Sequence, residues 1–160
     1  MRATRKDALP AQTDDDRWMI RALAAASRAA ELGEVPVGAV VVLENRRLAT
    51  GFNLTVSRAD PAGHAEIVAL RRAARRVGNH RLCGATLYAS LEPCVMCVGA
   101  IVQARIARVV YAAADPKAGA LSLLADPDFR RRVNHRFEIT GGIRAPEAAT
   151  MLRNFFSARR

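Results

Sequence analysis

The run VGAVVVL, residues 37–43, is apolar throughout and rich in valine. A continuous apolar run of this length predicts a buried strand, because a strand with one wet face would alternate apolar and polar residues. The turn Glu44-Asn45-Arg46 follows it, and residues 47–52 predict a second strand that returns beside the first. The hairpin is therefore expected to lie in a sheet that other elements cover.

Helical and strand patterns alternate on either side of this hairpin. Before it, aspartates at 14–16 and apolar residues at helical spacing predict a helix that ends near Gly33. After it, a loop over 53–63 leads to a helix that opens at His64 and ends before Gly78. The remaining predicted elements are strands over 85–90, 106–111 and 137–140, helices over 93–104 and 146–158, and an irregular stretch over 112–134 with a short helix near Leu121. This order predicts an α/β fold, a three-layer α/β/α sandwich around a central mixed five-stranded sheet.

The composition favours one domain with a polyanionic partner. The chain has 160 residues, enough for a single core, so residues 14–160 are predicted to form one domain after a disordered segment over residues 1–13. The formal net charge is +10, and the basic residues are 23 arginines and 2 lysines. So basic a domain favours nucleic acid as its partner, although the arginine and alanine bias also fits a GC-rich genome.

Cysteine content and hydropathy bear on the compartment. Three cysteines cannot form a disulfide framework, and this number suits a reducing environment. No run reaches ~18 consecutive apolar residues, so no membrane span is predicted. The N-terminus carries basic residues without an apolar segment and does not resemble a signal peptide. The chain is therefore expected to be cytoplasmic.

Cys94 and Cys97 are spaced to share one helix face near a helix N-terminus, where thiolates and hence zinc binding are favoured. Three kinds of site use this spacing: a redox pair, a structural zinc site with four protein ligands, and a catalytic zinc site with three ligands and an open position. A redox pair needs no histidine partner. The candidates for a fourth ligand form no second paired motif: His80, Cys83 and His135. His64 completes a set of three, which favours catalytic zinc.

Glu66 follows His64 by two residues, which favours hydrolytic chemistry. Zinc lowers the pKa of its bound water toward ~7, and a nearby carboxylate can take the water proton and hand it on. On a regular helix, residues two apart face nearly opposite sides, so both can reach the metal only if His64 lies at the helix end in a cap-like position. Pro61 and Gly63 immediately before it are consistent with such an end.

His64-Ala65-Glu66 and Pro93-Cys94-Val95-Met96-Cys97 together match a known signature. Through them the chain resembles the zinc-dependent cytidine and deoxycytidylate deaminase superfamily. Over residues 14–160 it is similar to the bacterial tRNA adenosine-34 deaminases in particular. The further segments that carry this resemblance are Glu34-Val35-Pro36-Val37-Gly38-Ala39-Val40, Gly51-Phe52-Asn53, Thr86-Leu87-Tyr88, Leu91-Glu92, Arg108-Val109-Val110-Tyr111, Asn134-His135-Arg136 and Phe155-Phe156-Ser157-Ala158-Arg159-Arg160.

The resemblance implies conversion of adenosine to inosine at position 34, the wobble position of the tRNA anticodon, by a homodimer with one zinc ion per subunit. It implies that His64, Cys94 and Cys97 bind the zinc ion and that Glu66 shuttles protons. It also implies three substrate contacts: Asn53 holds the target base, Val37 forms a pocket wall, and Asp115 lies in a loop that approaches the flanking nucleotides.

One loop departs from the pattern of the family. The family follows the aspartate with a small residue, lysine, threonine and glycine, whereas this chain has Asp115-Pro116-Lys117-Ala118-Gly119. The threonine hydroxyl is lost and the proline stiffens the loop. The departure concerns the RNA side of the site and leaves the zinc chemistry unchanged.

The last predicted helix ends in aromatic and basic residues. Phe155 and Phe156 are candidates for stacking on bases and Arg159 for contacting phosphate, but both rings could equally pack into the core. An anticodon loop suits such a surface because its bases are already unpaired. The alternative functions are deamination of a free base or nucleotide, guanine or cytosine, and RNA binding without catalysis. The basic charge argues against the first alternative and Glu66 against the second.

Overall fold

The computed structural model of the chain describes residues 12–160, which form a five-stranded sheet with helices on both faces. The helices are α1 (Asp14–Glu31), α2 (Ala65–Val77), α3 (Val95–Gln103), α4 (Pro127–Arg132) and α5 (Ala145–Ser157). The strands are β1 (Gly38–Leu43), β2 (Arg46–Phe52), β3 (Thr86–Leu91), β4 (Arg108–Ala113) and β5 (Glu138–Thr140). A 3₁₀ helix, Leu121–Ala125, precedes α4. The predicted mixed five-stranded α/β/α sandwich is confirmed.

The strand order in the sheet is β2-β1-β3-β4-β5. Strand β1 pairs antiparallel with β2 and β3, whereas β4 is parallel to both β3 and β5. The hairpin between β1 and β2 turns at Glu44 and Asn45, whose φ angles are 49° and 57°. Two successive positive φ angles are typical of the type I′ turn, whose twist matches that of the flanking strands. Strand β1 thus lies inside the sheet, as its apolar sequence predicts.

Alternate residues of β1 pack on opposite faces of the sheet. Val41 belongs to the core beneath α2 and α3, and Val40 belongs to the core beneath α1 and α5. Helix α1 approaches the sheet closely at Gly38, where an added Cβ would lie 2.1 Å from the carbonyl oxygen of Ala22. Only glycine permits this approach of helix to strand. Both faces of β1 are therefore covered, which explains its continuous apolar run.

Helix α1 is tied to the sheet by a polar cluster at its N-terminus. Thr13 caps the helix by accepting the N–H of Asp16 at 3.1 Å. The carboxylate of Asp15 accepts hydrogen bonds from Arg108 at 2.8 and 2.9 Å and from the hydroxyl of Tyr88 at 2.9 Å. The hydrogen bond from Arg108 holds the pKa of Asp15 below its ordinary value, although partial burial opposes this. These bonds join α1 to strands β3 and β4.

Helix α3 begins later than the sequence predicts. Pro93 is predicted in its first turn, but Cys94 is the N-cap, so Pro93 lies outside the helix. The carbonyl oxygen of Pro93 accepts the N–H of Ala120 at 2.9 Å, and Cys94 forms an isolated bridge with Gly119. Pairing with a distant segment therefore overrides the preference of proline for the first helical position.

The stretch over residues 112–134 is more regular than predicted. The 3₁₀ helix confirms the short helix near Leu121, but α4 was not predicted. Its start signal is present, because Asp126 accepts the N–H groups of Asp128 and Phe129 and Pro127 follows the cap. Helix α4 has six residues and buries none of them, so it lacks the apolar periodicity on which helix prediction depends. Strand β4 also ends two residues later than predicted, at Ala113.

No helix within residues 12–160 is both long and apolar enough to cross a membrane. The segment predicted to be disordered, residues 1–13, lies outside the described residues except for Gln12 and Thr13. The prediction for residues 1–11 therefore stays a prediction.

Candidate active site

Two helix N-termini meet at one end of the sheet. His64 is the N-cap of α2 and Cys94 is the N-cap of α3. Both have extended backbones, and neither side chain makes a capping hydrogen bond. Cys97 lies one turn further along α3, on the face that it shares with Cys94. The cap-like position predicted for His64 is thus confirmed, and the side chains of His64 and Cys94 are not used to cap their helices.

These three side chains converge on one point. Nδ1 of His64 lies 3.6 Å from Sγ of Cys94 and 3.7 Å from Sγ of Cys97. All three ligand atoms lie within 4.8 Å of one another. Across residues 12–160, this is the one group of three or more His, Cys, Asp or Glu side chains close enough to hold a metal ion. One nitrogen and two sulfur donors suit a metal of borderline softness.

Glu66 is the buried carboxylate of the site. It lies in the first turn of α2, is 3% exposed, and lines the same cavity as His64 and Cys94. Burial raises the pKa of Glu66 to about 7. A carboxyl group whose pKa lies near neutral pH can both take up and release a proton, which is the requirement for general acid/base catalysis.

The surroundings of Cys97 oppose ionisation of its thiol in the absence of a metal ion. Burial raises the pKa of the Cys97 thiol, and the negative charge of Glu66 and the neighbouring Cys94 raise it further. The side chains alone therefore oppose a thiolate here, although the N-terminus of α3 favours one. A bound divalent metal ion reverses this balance, because a coordinating thiol is deprotonated outright. The donor set and its charges thus fit a metal ion.

A cavity of about 250 Å³ opens in front of these residues. Pockets that hold drug-sized ligands measure about 300–1,000 Å³, so this cavity suits a single small ring system. The loops after β2 and β4 and the entry to β1 supply most of its walls. The lining residues are Val35, Val37, Asn53, Thr55, His64, Glu66, Leu91, Glu92, Cys94, Asp115 and Ala118.

Asn53 and Val37, which the resemblance implies to contact the substrate, both lie in this wall and are buried. Oδ1 of Asn53 accepts the N–H of Ala65 at 2.9 Å. This bond satisfies one of the free N–H groups at the start of α2 and orients the side chain. The amide nitrogen of Asn53 is left as a donor for a ligand in the cavity.

Two glutamates that the sequence analysis did not single out hold the walls of the cavity. Glu34 is fully buried and accepts the N–H groups of Ser57 at 2.7 Å and Val56 at 3.2 Å, and the hydroxyl of Thr55 at 3.1 Å. Burial opposes its ionisation, but these hydrogen bonds keep the pKa of Glu34 below its ordinary value. Glu92 binds the loop on the opposite side. The sequence contains a signal for both glutamates, because each lies next to apolar residues and a proline. A glutamate buried in such a segment needs hydrogen-bond partners, so each could have been predicted to bind a neighbouring loop.

Comparison with known proteins assigns this geometry to a family. A family model described as MafB19-like deaminase matches residues 13–160. The tRNA-specific adenosine deaminase of Haemophilus influenzae is 44% identical over 156 residues, which cover 96% of this chain and 90% of that protein. The tRNA-specific adenosine deaminase of Bacillus subtilis is 40% identical over 144 residues, 90% of this chain and 89% of that protein. The chain belongs to the tRNA-specific adenosine deaminase family.

A solved structure agrees with this assignment. It comes from a study of A-to-I editing by tRNA:A34 deaminases at the wobble position of transfer RNA, and it superposes with a TM-score of 0.80 at 40% identity. The match covers 85% of this chain and 99% of that chain. As a member of the deaminase family, the chain is a hydrolytic enzyme. Glu66 is a buried carboxyl group that lines the same cavity as His64 and Cys94.

In this member of the deaminase family, a second cavity runs from the Asp115 loop along α5. It has a volume of about 870 Å³, and Asp115 lines it as well as the smaller cavity. The carboxylate of Asp115 closes a turn by accepting the N–H groups of Lys117 at 3.0 Å and Ala118 at 3.1 Å. The cationic residues in this groove are Lys117, Arg153, Arg159 and Arg160. The groove is therefore positively charged, and it shares Asp115 with the smaller cavity.

The two phenylalanines predicted to bind substrate occupy different environments. Phe156 is 50% exposed and lines the groove. Phe155 is 9% exposed, and the guanidinium carbon of Arg159 lies 3.5 Å from the centroid of its ring. Because the Phe155 ring is buried and one face is covered, it does not fit the predicted role in base stacking and instead packs inside the protein. Arg159 lines the groove, with its guanidinium stacked on that ring and donating to the carbonyl oxygen of Phe155 at 3.2 Å. Its predicted contact with phosphate stays a prediction.

Proposed function

We propose that the chain hydrolyses adenosine to inosine at the wobble position of a tRNA anticodon. The similarity to tRNA-specific adenosine deaminases over nearly the whole chain is the observation that carries this proposal. The small cavity beside Glu66 and the cationic groove that shares Asp115 with that cavity support it. The reaction adds water to C6 of adenine and releases ammonia.

We infer that His64, Cys94 and Cys97 hold one zinc ion per subunit. In a tetrahedral zinc site, bonds of about 2.1 Å to nitrogen and 2.3 Å to sulfur set those atoms about 3.6 Å apart. The nitrogen–sulfur separations of 3.6 and 3.7 Å agree with that value. Three protein ligands leave a fourth position for water, and zinc supplies a nucleophile there by lowering the pKa of the water toward ~7.

Glu66 moves the protons of this reaction. It accepts a proton from the attacking water as the C6–O bond forms and delivers that proton to N1 of adenine. It then moves the proton of the new C6 hydroxyl to the exocyclic amine, so that the C6–N6 bond breaks, C6=O forms and ammonia leaves. Its pKa of about 7 suits proton uptake and release at neutral pH.

The cavity binds the target base of the substrate, and the groove binds the flanking nucleotides. Asn53 offers its amide to the displaced base, and Val37 supplies apolar surface. A base in an anticodon loop is already unpaired, so its displacement into the cavity costs little. The flanking phosphates lie along the groove of Lys117 and Arg153, where the exposed ring of Phe156 can stack on a neighbouring base.

We also propose that the chain is a homodimer that acts in the cytoplasm, where tRNA is found. The surface that supports self-association is a groove between α2 and α3 whose lining is mainly apolar. Its apolar lining residues are Ile67, Leu70, Ala74, Ala100 and Ala104. Light scattering at micromolar concentration is expected to give twice the chain mass of 17.3 kDa. A mass equal to that of one chain contradicts the homodimer.

The decisive experiment uses the zinc-loaded protein and two anticodon stem-loops. One carries adenosine at position 34, and the matched control carries guanosine there with adenosines elsewhere in the loop. We expect inosine only in the first stem-loop, measured by nuclease digestion and mass spectrometry. Ammonia release from free guanine or cytosine tests the competing function. Turnover of a free base without inosine in the stem-loop overturns the proposal.

A further inference from the structure

We propose that Glu92 is a positioning residue that holds the loop over residues 115–121 against the metal-binding segment and thereby shapes the substrate cavity. Glu92 follows the last residue of β3 and lies two residues before Cys94. It is partly buried and lines the cavity. Its importance for turnover rests on the function proposed above, whereas its effect on the loop does not.

The two carboxylate oxygens of Glu92 bind the two ends of this loop. Oε2 accepts the N–H of Asp115 at 3.1 Å, and Oε1 accepts the N–H of Leu121 at 3.3 Å. Asp115 follows β4, and Leu121 opens the 3₁₀ helix. One side chain therefore spans the loop and satisfies a backbone donor at each end.

The loop is built around this carboxylate. A Cβ added to Gly119 would lie 2.4 Å from Oε2 of Glu92 and 2.5 Å from the carbonyl oxygen of Asp115. Such contacts are shorter than any side chain allows, so glycine is needed where the loop passes over the carboxylate. The N–H of Gly119 also bonds the carbonyl oxygen of Asp115 at 2.9 Å. Glu92, Asp115 and Gly119 thus form one interlocked unit.

The position of this loop affects both binding surfaces. Asp115 and Ala118 line the cavity, and Asp115 and Lys117 line the groove. The loop is therefore the wall between the place for the base and the place for the flanking nucleotides. The carboxylate of Asp115 is already used inside the loop, in its bonds to Lys117 and Ala118. Backbone contacts of Pro93 and Cys94 hold Ala120 and Gly119 in the middle of the loop, and Glu92 is the side chain that anchors its two ends. Loss of Glu92 is expected to loosen this wall of the cavity without moving the zinc ligands.

The test compares Glu92→Ala and Glu92→Gln with the wild type and with Glu31→Ala, which removes an exposed glutamate at the end of α1. Amide hydrogen exchange of residues 115–121 reports on the loop without any need for activity. We expect exchange in Glu92→Ala to rise about tenfold or more, because two backbone donors lose their side-chain acceptor. Glu92→Gln keeps one acceptor oxygen and is expected to show a smaller rise.

Kinetics with the position-34 stem-loop then separate positioning from a role in folding or metal binding. We expect KM in Glu92→Ala to rise about tenfold, kcat to stay within about threefold, and zinc content to stay at one ion per chain. Unchanged exchange and unchanged KM overturn the proposal. A loss of zinc and kcat with KM unchanged also overturns it. If the wild type does not edit the stem-loop, the proposed function fails, while the exchange data still decide whether Glu92 holds the loop.

Discussion

His64 and Cys94 are each the N-cap of a helix, and Nδ1 of one lies 3.6 Å from Sγ of the other. Neither side chain caps its own helix, so α2 and α3 direct the positive ends of their dipoles toward the same small volume. Thiolates and an ionised water are favoured at such a point. The arrangement also explains how His64 and Glu66 can line the same cavity although they are only two residues apart. His64 precedes the helix, and Glu66 belongs to its first turn.

Removal of a metal ligand is expected to abolish zinc binding. Cys97→Ser replaces a buried sulfur that converges on Nδ1 of His64, and three-ligand sites do not retain zinc well with two ligands. The zinc content, measured by elemental analysis, is expected to fall from about one ion per chain to less than a tenth of that. Cys83→Ser is the matched control, because Cys83 is exposed and lies outside the cluster. Full zinc content in Cys97→Ser contradicts the ligand assignment.

Glu66→Gln is expected to separate catalysis from metal binding. The amide has nearly the same shape but cannot carry a proton between water and base, so kcat should fall about 10²–10⁴-fold. Zinc content should stay at one per chain, and the melting temperature should not fall, because the change removes a buried ionisable group whose charge is costly there. The measurements are inosine formation, elemental analysis and thermal unfolding. Activity within tenfold of the wild type would show that another group shuttles the protons.

The ion pair of Asp15 and Arg108 is expected to make stability depend on pH. Asp15→Asn removes a carboxylate that is 22% exposed and bonded at both oxygens, which should cost about 1.5–3 kcal/mol at pH 7. Because the pKa of Asp15 is lowered on folding, the ionised carboxylate stabilises the fold above the ordinary aspartate pKa of about 4. That stabilisation disappears as the pH falls through the lowered pKa.

Urea unfolding at neutral and acidic pH measures the difference in the free energy of unfolding between wild type and Asp15→Asn. The gap between wild type and Asp15→Asn should be largest at pH 7 and should shrink in strong acid. Asp14→Asn is the control, since Asp14 forms an exposed pair with Arg17 that contributes little. A gap of the same size at both pH values is incompatible with this role of Asp15.

Truncation of the two adjacent phenylalanines of α5 is expected to affect different properties: stability for Phe155 and KM for Phe156. Phe155→Ala removes a buried ring and should lower the free energy of unfolding by about 3–5 kcal/mol. Phe156→Ala removes a half-exposed ring that packs edge-on against Phe155, so that free energy should fall by only about 0.5–1.5 kcal/mol. Its KM for the stem-loop should rise, since stacking on one base contributes about 1–3 kcal/mol. An unchanged KM in Phe156→Ala excludes stacking by this ring.

The sequence by itself determined the layered fold and the convergence of His64, Cys94 and Cys97. Residues 37–43 encode a central strand because a continuous apolar run is tolerated only where both faces are covered. Two spacings predict that the site lies at helix N-termini: three residues from Cys94 to Cys97, and two residues from His64 to Glu66. The structure places these residues at the N-termini of α3 and α2. The apolar run and the short spacings involve residues that are close in sequence, so they can be recognised from the sequence alone.

Only the tertiary structure decided which residues shape the substrate side. Phe155 and Phe156 are identical in type and adjacent in sequence, and their burial differs because α5 presents one of them to the interior. Pro93 stays outside α3, and Glu92 holds the loop over residues 115–121, because a segment more than 20 residues away pairs with both. These outcomes depend on contacts between distant parts of the chain, and no local pattern of apolar and polar residues encodes them.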